Sequence, residues 1–178
     1  MMRYAGIIEN DTAAAPGLCF SFYVQGCPIH CEGCQNPQTW SEDGGYEFTN
    51  QTLDRIIEGI HANNFTRSFA ILGGEPLSPR NIFLTAMVLS EVRKVYPDIT
   101  IWIWSGYEIE DLINTENIHL QNIMTSINGL VCGPFEKDKR DISLPFRGST
   151  NQRVFLFDAE KKLWYNKENN EERYKING

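Results

Sequence analysis

The sequence lacks an apolar run approaching the roughly 20 residues that a membrane-spanning helix needs, and its beginning is not typical of a secretory signal peptide. It is also poor in positive charge, because 16 Lys and Arg stand against 23 Asp and Glu and give a net charge of −7. Proteins bind nucleic-acid backbones through clustered Lys and Arg. We therefore expect a soluble protein that binds neither a membrane nor nucleic acid.

Internal repeats, low-complexity runs and linkers rich in Pro or Ser are absent as well. A chain of 178 residues has the length of one ordinary domain. Only the composition after about residue 158 differs, since this part is charged and rich in Asn. We predict one domain over residues 1–157, followed by a charged C-terminal extension over residues 158–178.

The five cysteines are an odd number, and three of them lie within eight residues. Without a secretory segment, this usage favours a reducing compartment in which thiolates bind metals instead of forming disulfides. We expect a cytoplasmic protein. The two isolated cysteines, Cys19 and Cys132, are expected to be small hydrophobic residues of the core.

Strand-like and helix-like segments alternate along the chain, which indicates an α/β fold with a parallel sheet. The run from Ile99 to Trp104 is apolar on both faces, as expected of a parallel strand that is covered on both sides. A complete eight-unit barrel usually needs about 250 residues. The sequence therefore predicts a partial (β/α) TIM-like barrel that is laterally open, and we take the gap as a substrate entrance. Predicted strands are 3–9, 19–25, 69–72, 99–104, 129–132 and 154–157; predicted helices are 53–60, capped by Thr49 or Asn50, and 78–96. The extension is expected to be a solvated face, with 163–165 as the alternative of a final strand.

Cys27, Cys31 and Cys34 form a CxxxCxxC loop directly after a predicted strand. Iron–sulfur clusters ordinarily take four cysteines, and no fourth lies close by, so one iron would stay open to another ligand. Gly33 can adopt the positive φ that a tight loop requires. A structural zinc site with His30 as the fourth ligand is the alternative, although the adjacent His30 and Cys31 side chains would diverge.

Gly73-Gly74-Glu75-Pro76 follows the predicted strand 69–72. Two glycines at the C-terminal end of a strand leave backbone groups bare, and these can hold a small zwitterion at the active face of an α/β barrel. Taken alone, the segment is more typical of an ordinary strand-to-helix turn. The chain contains no obvious Ser/His/Asp constellation, and His61 and His119 lie in helix-like stretches where surface or core roles are expected.

Together, the cysteine loop and Gly73-Gly74-Glu75 resemble the radical S-adenosylmethionine enzymes. Further segments narrow the resemblance to one family among them, the activating proteins of anaerobic ribonucleoside-triphosphate reductase. The likeness runs from about Tyr4 to Arg153, and the RGSTNQ segment at 147–152 is its most discriminating part. The other matching segments are Pro16-Gly17, Val24-Gln25-Gly26-Cys27, Asn36-Pro37-Gln38-Thr39-Trp40, Trp104-Ser105-Gly106-Tyr107 and Gly133-Pro134-Phe135.

The resemblance implies that Cys27, Cys31 and Cys34 bind three irons of a [4Fe-4S] cluster, with the amino and carboxylate groups of S-adenosylmethionine on the fourth. It further implies that Gly33, Cys34 and Gln35 line this cofactor beside the cluster and that Gly73 and Gly74 meet its methionine end.

In such enzymes the reduced cluster splits the cofactor into methionine and a 5'-deoxyadenosyl radical, which removes hydrogen from a glycine of the partner reductase. A one-electron donor such as a flavodoxin would supply the electron. Residues 1–157 would be the radical S-adenosylmethionine domain. Ser105, which ends a predicted strand, is a candidate to reach the nucleoside.

The chain departs from the family pattern at Cys132, where an Asp is usual before Gly-Pro-Phe, and at Gln35, where a Tyr is frequent. Two alternatives stay open. The chain could be another small radical enzyme, either an activase for a different glycyl-radical protein or a deazaguanine-type synthase. It could also be a non-catalytic module that binds zinc or an iron–sulfur cluster.

Overall fold

The computed structural model describes residues 1–176. Within this range, none of the helices is long and apolar enough to cross a membrane. The described residues form eleven strands and four α-helices, as follows: β1 Arg3–Asp11, β2 Cys19–Val24, β3 Tyr46–Glu47, α1 Asn50–Ile60, β4 His61–Ala62, β5 Phe65–Thr66, β6 Ser68–Gly73, α2 Ile82–Val95, β7 Ile101–Trp104, α3 Ile109–Ile113, α4 Ile118–Ser126, β8 Gly129–Cys132, β9 Arg153–Asp158, β10 Leu163–Asn166 and β11 Arg173–Lys175.

Nine of the strands form one mixed sheet in the order β11-β10-β9-β8-β7-β6-β2-β1-β3, while β4 and β5 form a small separate hairpin. The four central strands, β2, β6, β7 and β8, are parallel. Antiparallel strands flank them on both sides. The two-sided burial predicted for the run ending at Trp104 is confirmed, because Ile101 and Ile103 are buried in one core cluster and Trp102 in another on the opposite face of the sheet.

The prediction of a partial (β/α) barrel is wrong, because the nine strands form an open mixed sheet. A barrel of this kind needs a helix between every pair of strands. After β8, however, residues 133–152 contain only a short 3-10 turn at Lys137–Lys139, and β9 then returns antiparallel to β8. The sequence showed apolar strands at 129–132 and 154–157 but not their direction. The substrate entrance expected at a barrel gap is not present either.

The two faces of the sheet are covered differently. Alternate residues of the central strands, such as Phe22, Ile71 and Ile103, pack against the helices in the larger core cluster. Their neighbours, including Ala70 and Trp102, belong to a second cluster that contains no helical residue. This second face is covered by loops, so a ligand can reach it without passing a helix.

Local sequence signals predict the start of α1 correctly but not that of α2. Thr49 caps α1 as predicted, in a capping box with Thr52. The second helix was predicted to begin at Ser78 but begins at Ile82. The Ser78 hydroxyl instead donates to the carbonyl of Glu75 at 3.0 Å, which holds residues 75–78 in a tight turn after β6.

The C-terminal part continues the sheet. The alternative of a final strand at 163–165 is confirmed by β10, and Trp164 is fully buried. Arg153 at the start of β9 pairs with three carboxylates, those of Glu108, Glu110 and Glu172. Residues 177–178 of the predicted extension lie outside the described residues.

Candidate active site

A cavity of about 420 Å³ lies on the helix-free face, at the C-terminal ends of the parallel strands. It is lined by the three cysteines of the loop, Gly73 to Glu75, Trp104 to Gly106, Gln35, Gly133, Phe135, Gly148, Gln152 and the turn after β1. A larger hollow, of about 670 Å³, lies between α2 and α4, but none of the loop cysteines borders it. The smaller cavity is therefore the candidate site.

The cysteine loop is held in shape by its own backbone. The N–H of Cys27 donates to the carbonyl of Trp40 at 3.1 Å, and the N–H of Cys34 donates to the backbone carbonyl of Cys31 at 3.1 Å. Gly33 has a φ of +72°, as expected of a glycine in this position. His30 also adopts a positive φ, of +52°. The loop therefore turns its three thiols toward the same cavity.

The thiols lie in surroundings that disfavour a bare thiolate. Burial raises the pKa of both Cys27 and Cys31. Backbone hydrogen bonds partly oppose this effect, from Ile29 and His30 at Cys27 and from Phe135 at Cys31. The N–H of Asn36 points at the sulfur of Cys34, 3.3 Å away. Such thiols ionise readily only when a metal supplies the compensating positive charge.

No three His, Cys, Asp or Glu side chains within residues 1–176 are grouped closely enough to hold a single metal ion. A [4Fe-4S] cluster is less demanding, because each thiolate binds a different iron and the three sulfurs need not converge on one point. Three thiols on one cavity wall, with the N–H of Asn36 directed at the sulfur of Cys34, fit such a cluster. The ring of His30 stacks on Trp40 with 4.7 Å between ring centres and is not part of the cavity wall, so the structure gives the zinc alternative no fourth ligand at this residue.

The two glycines after β6 are required by close packing. A Cβ on Gly73, whose φ is +103°, would lie 2.9 Å from the Cβ of Tyr23. A Cβ on Gly74 would lie 2.4 Å from the carbonyl oxygen of Gly26. Because the backbones at Gly74 and Gly26 approach so closely, the N–H of Glu75 can donate to the carbonyl of Gly26 at 2.9 Å. The two sequence motifs therefore meet directly, one residue before Cys27.

Asn81 joins the same contact from the start of α2. Its side-chain amide is 2% exposed and donates both to the carbonyl of Gly26, at 2.9 Å, and to that of Glu75, at 3.0 Å. Sequence reasoning missed this role, because Asn81 lay inside the predicted helix 78–96.

Glu75 is a buried carboxylic acid at the cavity wall, 1% exposed. Its oxygens accept from the N–H of Leu77 at 2.9 Å, the hydroxyl of Ser105 at 2.8 Å and the N–H of Gly106 at 2.7 Å. Burial raises the pKa of Glu75 to about 7, against the opposing effect of these hydrogen bonds. Sequence reasoning assigned Glu75 no role and suggested that Ser105 reaches the nucleoside, whereas the Ser105 hydroxyl is engaged by Glu75.

Two further polar residues of the wall were not singled out from the sequence. Asp11 accepts a hydrogen bond from the Ser21 hydroxyl at 2.8 Å. Burial, together with Asp11, raises the pKa of Tyr23 to about 12. No local motif marks either residue, and only the pairing of β1 with β2 brings them together.

The other residues predicted from the sequence are placed as follows. Gln35 lines the cavity, whereas Gly33 lies behind it, under the side chain of Lys137. Cys19 and Cys132 are fully buried, so the prediction that both belong to the core is confirmed. His61 is exposed and contacts Thr66, while His119 packs edge-on against Phe83.

The RGSTNQ segment also reaches the cavity. Gln152 and Gly148 line it, and the side chain of Gln152 donates to the carbonyl of Gly133 at 3.1 Å. Arg147 faces away from the cavity and pairs with Glu168 of the C-terminal part. The segment that carries the family resemblance most specifically is thus a structural part of the site.

The sequence comparisons agree with this site. Residues 13–155 match the family described as a 4Fe-4S single cluster domain. An anaerobic ribonucleoside-triphosphate reductase-activating protein of Escherichia coli K12 is 34% identical over 154 residues, which span 86% of this chain and 97% of that protein. The protein of the same name from Vibrio cholerae is 31% identical over 157 residues, 88% and 99% of the two chains. Its counterpart from Enterobacteria phage T4 is 30% identical over 154 residues, 86% and 94% of the two chains. On this similarity and the geometry of the cysteine loop, the chain belongs to the family of anaerobic ribonucleoside-triphosphate reductase-activating proteins.

Proposed function

We propose that this protein activates an anaerobic ribonucleoside-triphosphate reductase by generating a glycyl radical on it. The proposal rests above all on one observation, that Cys27, Cys31 and Cys34 share a cavity wall with Gly73 and Gly74. Relatives that match nearly their whole length to this chain are named for the same activity.

In this proposal Cys27, Cys31 and Cys34 hold three irons of a [4Fe-4S] cluster, and S-adenosylmethionine occupies the rest of the cavity. Cys34 and Gln35 lie on the cavity wall, where they would contact the cofactor beside the cluster. Gly73 and Gly74 would meet its methionine end through bare backbone groups. Gly33 lies behind the wall, so its contribution would be made through the shape of the loop.

Bound at Cys27, Cys31 and Cys34 and reduced, the cluster would supply the one electron needed to split S-adenosylmethionine into methionine and a 5'-deoxyadenosyl radical, and hydrogen transfer from a glycine Cα to that radical would leave 5'-deoxyadenosine and a glycyl radical. The residues of this chain have the simpler tasks of holding and orienting the reactants. Glu75 fixes Ser105 and Gly106 against the turn after β6.

The partner in this reaction is the large glycyl-radical subunit of the reductase, and a one-electron donor of the flavodoxin type would reduce the cluster. We assign the radical chemistry to residues 1–157 and regard residues 158–178 as a charged extension. Five free thiols favour a reducing compartment such as the cytoplasm.

Anaerobic reconstitution with iron and sulfide tests the proposal. The reduced protein should give the electron paramagnetic resonance signal of a [4Fe-4S] cluster that changes when S-adenosylmethionine is added, and it should then form 5'-deoxyadenosine. Cys31→Ala should lose the cluster and the product. Cys19→Ala, which removes a buried thiol outside the loop, should keep both.

A glycyl radical on the co-incubated reductase would identify the substrate. Formation of 5'-deoxyadenosine without that radical would instead indicate another small radical enzyme. A wild-type protein that binds no cluster, or never forms 5'-deoxyadenosine, would contradict the proposed chemistry.

A further inference from the structure

The segment 147–152 contains none of the proposed ligands, yet a single side chain in it ties the connection between β8 and β9 together. Gln152 is 8% exposed. Its Oε1 atom accepts from the N–H of Gly148 at 2.9 Å and from that of Ser149 at 3.3 Å, and its Nε2 atom donates to the carbonyl of Gly133 at 3.1 Å. The Gln152 amide thus links both ends of a connection that contains no α-helix or strand between them.

Two neighbouring bonds reinforce this link. Asn151 donates through Nδ2 to the carbonyl of Pro134 at 2.7 Å, and the hydroxyl of Ser149 accepts from the N–H of Glu136 at 3.2 Å. Gly133, Pro134 and Glu136 are therefore all held by residues of the 147–152 segment. The backbone of residues 133–136 has little freedom to shift as long as these bonds persist.

This fixed backbone is in direct contact with the cysteine loop. Phe135 and Cys31 line the same cavity, and the Phe135 ring packs against Gly148, 3.2 Å from the position of an added Cβ there. Next along the chain, Lys137 covers Gly33 and pairs with Glu32 at 3.0 Å. Residues 133–137 therefore form the outer wall of the loop.

The residues around an iron–sulfur cluster orient its ligands and control its solvent exposure, which is one of the factors that set its reduction potential. We propose that Gln152 is a positioning residue: it holds residues 133–137 against the cysteine loop, so that Phe135 stays on the cavity wall that it shares with Cys31 and Lys137 stays over Gly33. This inference rests on the proposed function only in taking Cys31 as a cluster ligand.

Gln152→Ala tests the inference. Hydrogen–deuterium exchange of the cluster-free protein should show faster exchange in peptides covering residues 133–137, by about fivefold, the effect of losing one hydrogen bond of ordinary net strength. After reconstitution, the variant should bind as much iron as the wild type, but the reduction potential of its cluster should differ, because the wall beside the cysteine loop is no longer held in place. Its spectral response to S-adenosylmethionine should be weaker.

Two further variants sharpen the test. Gln152→Glu keeps an acceptor for Gly148 and Ser149 but loses the donor to Gly133, so it should show the same changes and serves if Gln152→Ala does not fold. Gln121→Ala is the matched control, because the Gln121 amide also donates to a backbone carbonyl, that of Thr115, but lies outside the cavity. It should behave as the wild type.

Folded Gln152 variants with wild-type exchange, reduction potential and cofactor response would overturn the inference. A wild-type protein that holds no cluster would contradict the proposed function, while the exchange measurement would still decide whether Gln152 fixes residues 133–137.

Discussion

Gly74 lies against the carbonyl oxygen of Gly26, the residue immediately before the first cysteine of the loop. A Cβ at position 74 would be 2.4 Å from that oxygen, so the backbone itself would have to move. The contact explains why two motifs nearly fifty residues apart in the sequence act as one site.

Gly74→Ala should therefore displace the cysteine loop. We expect a loss of about 1–3 kcal/mol in the free energy of unfolding, as for other overpacked positions, and a loss of the spectral change that S-adenosylmethionine causes. Urea unfolding and electron paramagnetic resonance would measure the two effects. Gly6→Ala is the control, since nothing lies within 4 Å of a Cβ at this position; equal effects of the two variants would contradict the prediction.

Gly33→Ala should weaken cluster assembly through strain in the loop. Its φ of +72° disfavours any residue with a Cβ, at a cost of about 1 kcal/mol, and the Cβ would press on Lys137 at 3.2 Å. Gly17→Ala is the matched control, because Gly17 has a similar φ of +77° and nothing lies within 4 Å of a Cβ at this position. Both variants should lose similar stability, but only Gly33→Ala should bind less iron on reconstitution. Equal iron content in the two would show that the loop tolerates the strain.

Glu75 should make the protein less stable as the pH rises from about 4.5 to about 7. Its pKa is raised to about 7 in the folded state from an ordinary value of 4.5, so the folded state holds a proton that the unfolded state releases first. The stabilisation is present below pH 4.5 and is lost as the pH passes 7, with a magnitude of up to about 3 kcal/mol. Glu75→Gln cannot titrate, so the difference in unfolding free energy between wild type and variant should change across this window. A difference that stays constant from pH 4.5 to 7.5 would contradict the assignment.

The ion pair of Arg153 with Glu110 should make the protein less stable as the pH falls from about 4.5 to about 2. Hydrogen bonds from Arg153 lower the pKa of Glu110 to about 2, so the stabilisation is present above about pH 4.5 and is lost as the pH falls toward 2. Because the Glu110 side chain is 45% exposed, solvent screening limits the effect to about 1 kcal/mol. Arg153→Gln should lower the free energy of unfolding at pH 6 and make it depend less on pH below about 4.5. An unchanged pH dependence in this range would show that these ion pairs do not stabilise the protein.

The sequence predicted the chemistry of this protein better than its architecture. The spacing of Cys27, Cys31 and Cys34 and the pair Gly73-Gly74 are local signals, and the structure places them on one cavity. The strand direction after Cys132 is not local, because it depends on a connection of twenty residues with no periodic pattern. The barrel prediction failed for that reason.

The residues that support the site were harder to predict than those that line it. Glu75, Asn81 and Gln152 act through hydrogen bonds to backbone groups far away in the sequence. Such bonds do not follow from the spacing of residues in the sequence, because any Glu, Asn or Gln at these positions resembles an ordinary turn or cap residue. The only advance sign was that Glu75 and Gln152 belong to short segments shared with the family.

The carbonyl oxygen of Gly26 accepts two hydrogen bonds, from the N–H of Glu75 and from the side chain of Asn81. Both of its lone pairs are therefore occupied before any metal arrives. Cys27, which follows Gly26 directly and donates to the carbonyl of Trp40, is therefore the most firmly anchored of the three loop cysteines. If these cysteines hold a cluster as proposed, the loss of chain entropy on its assembly would fall mainly on the part of the loop that carries Cys31 and Cys34.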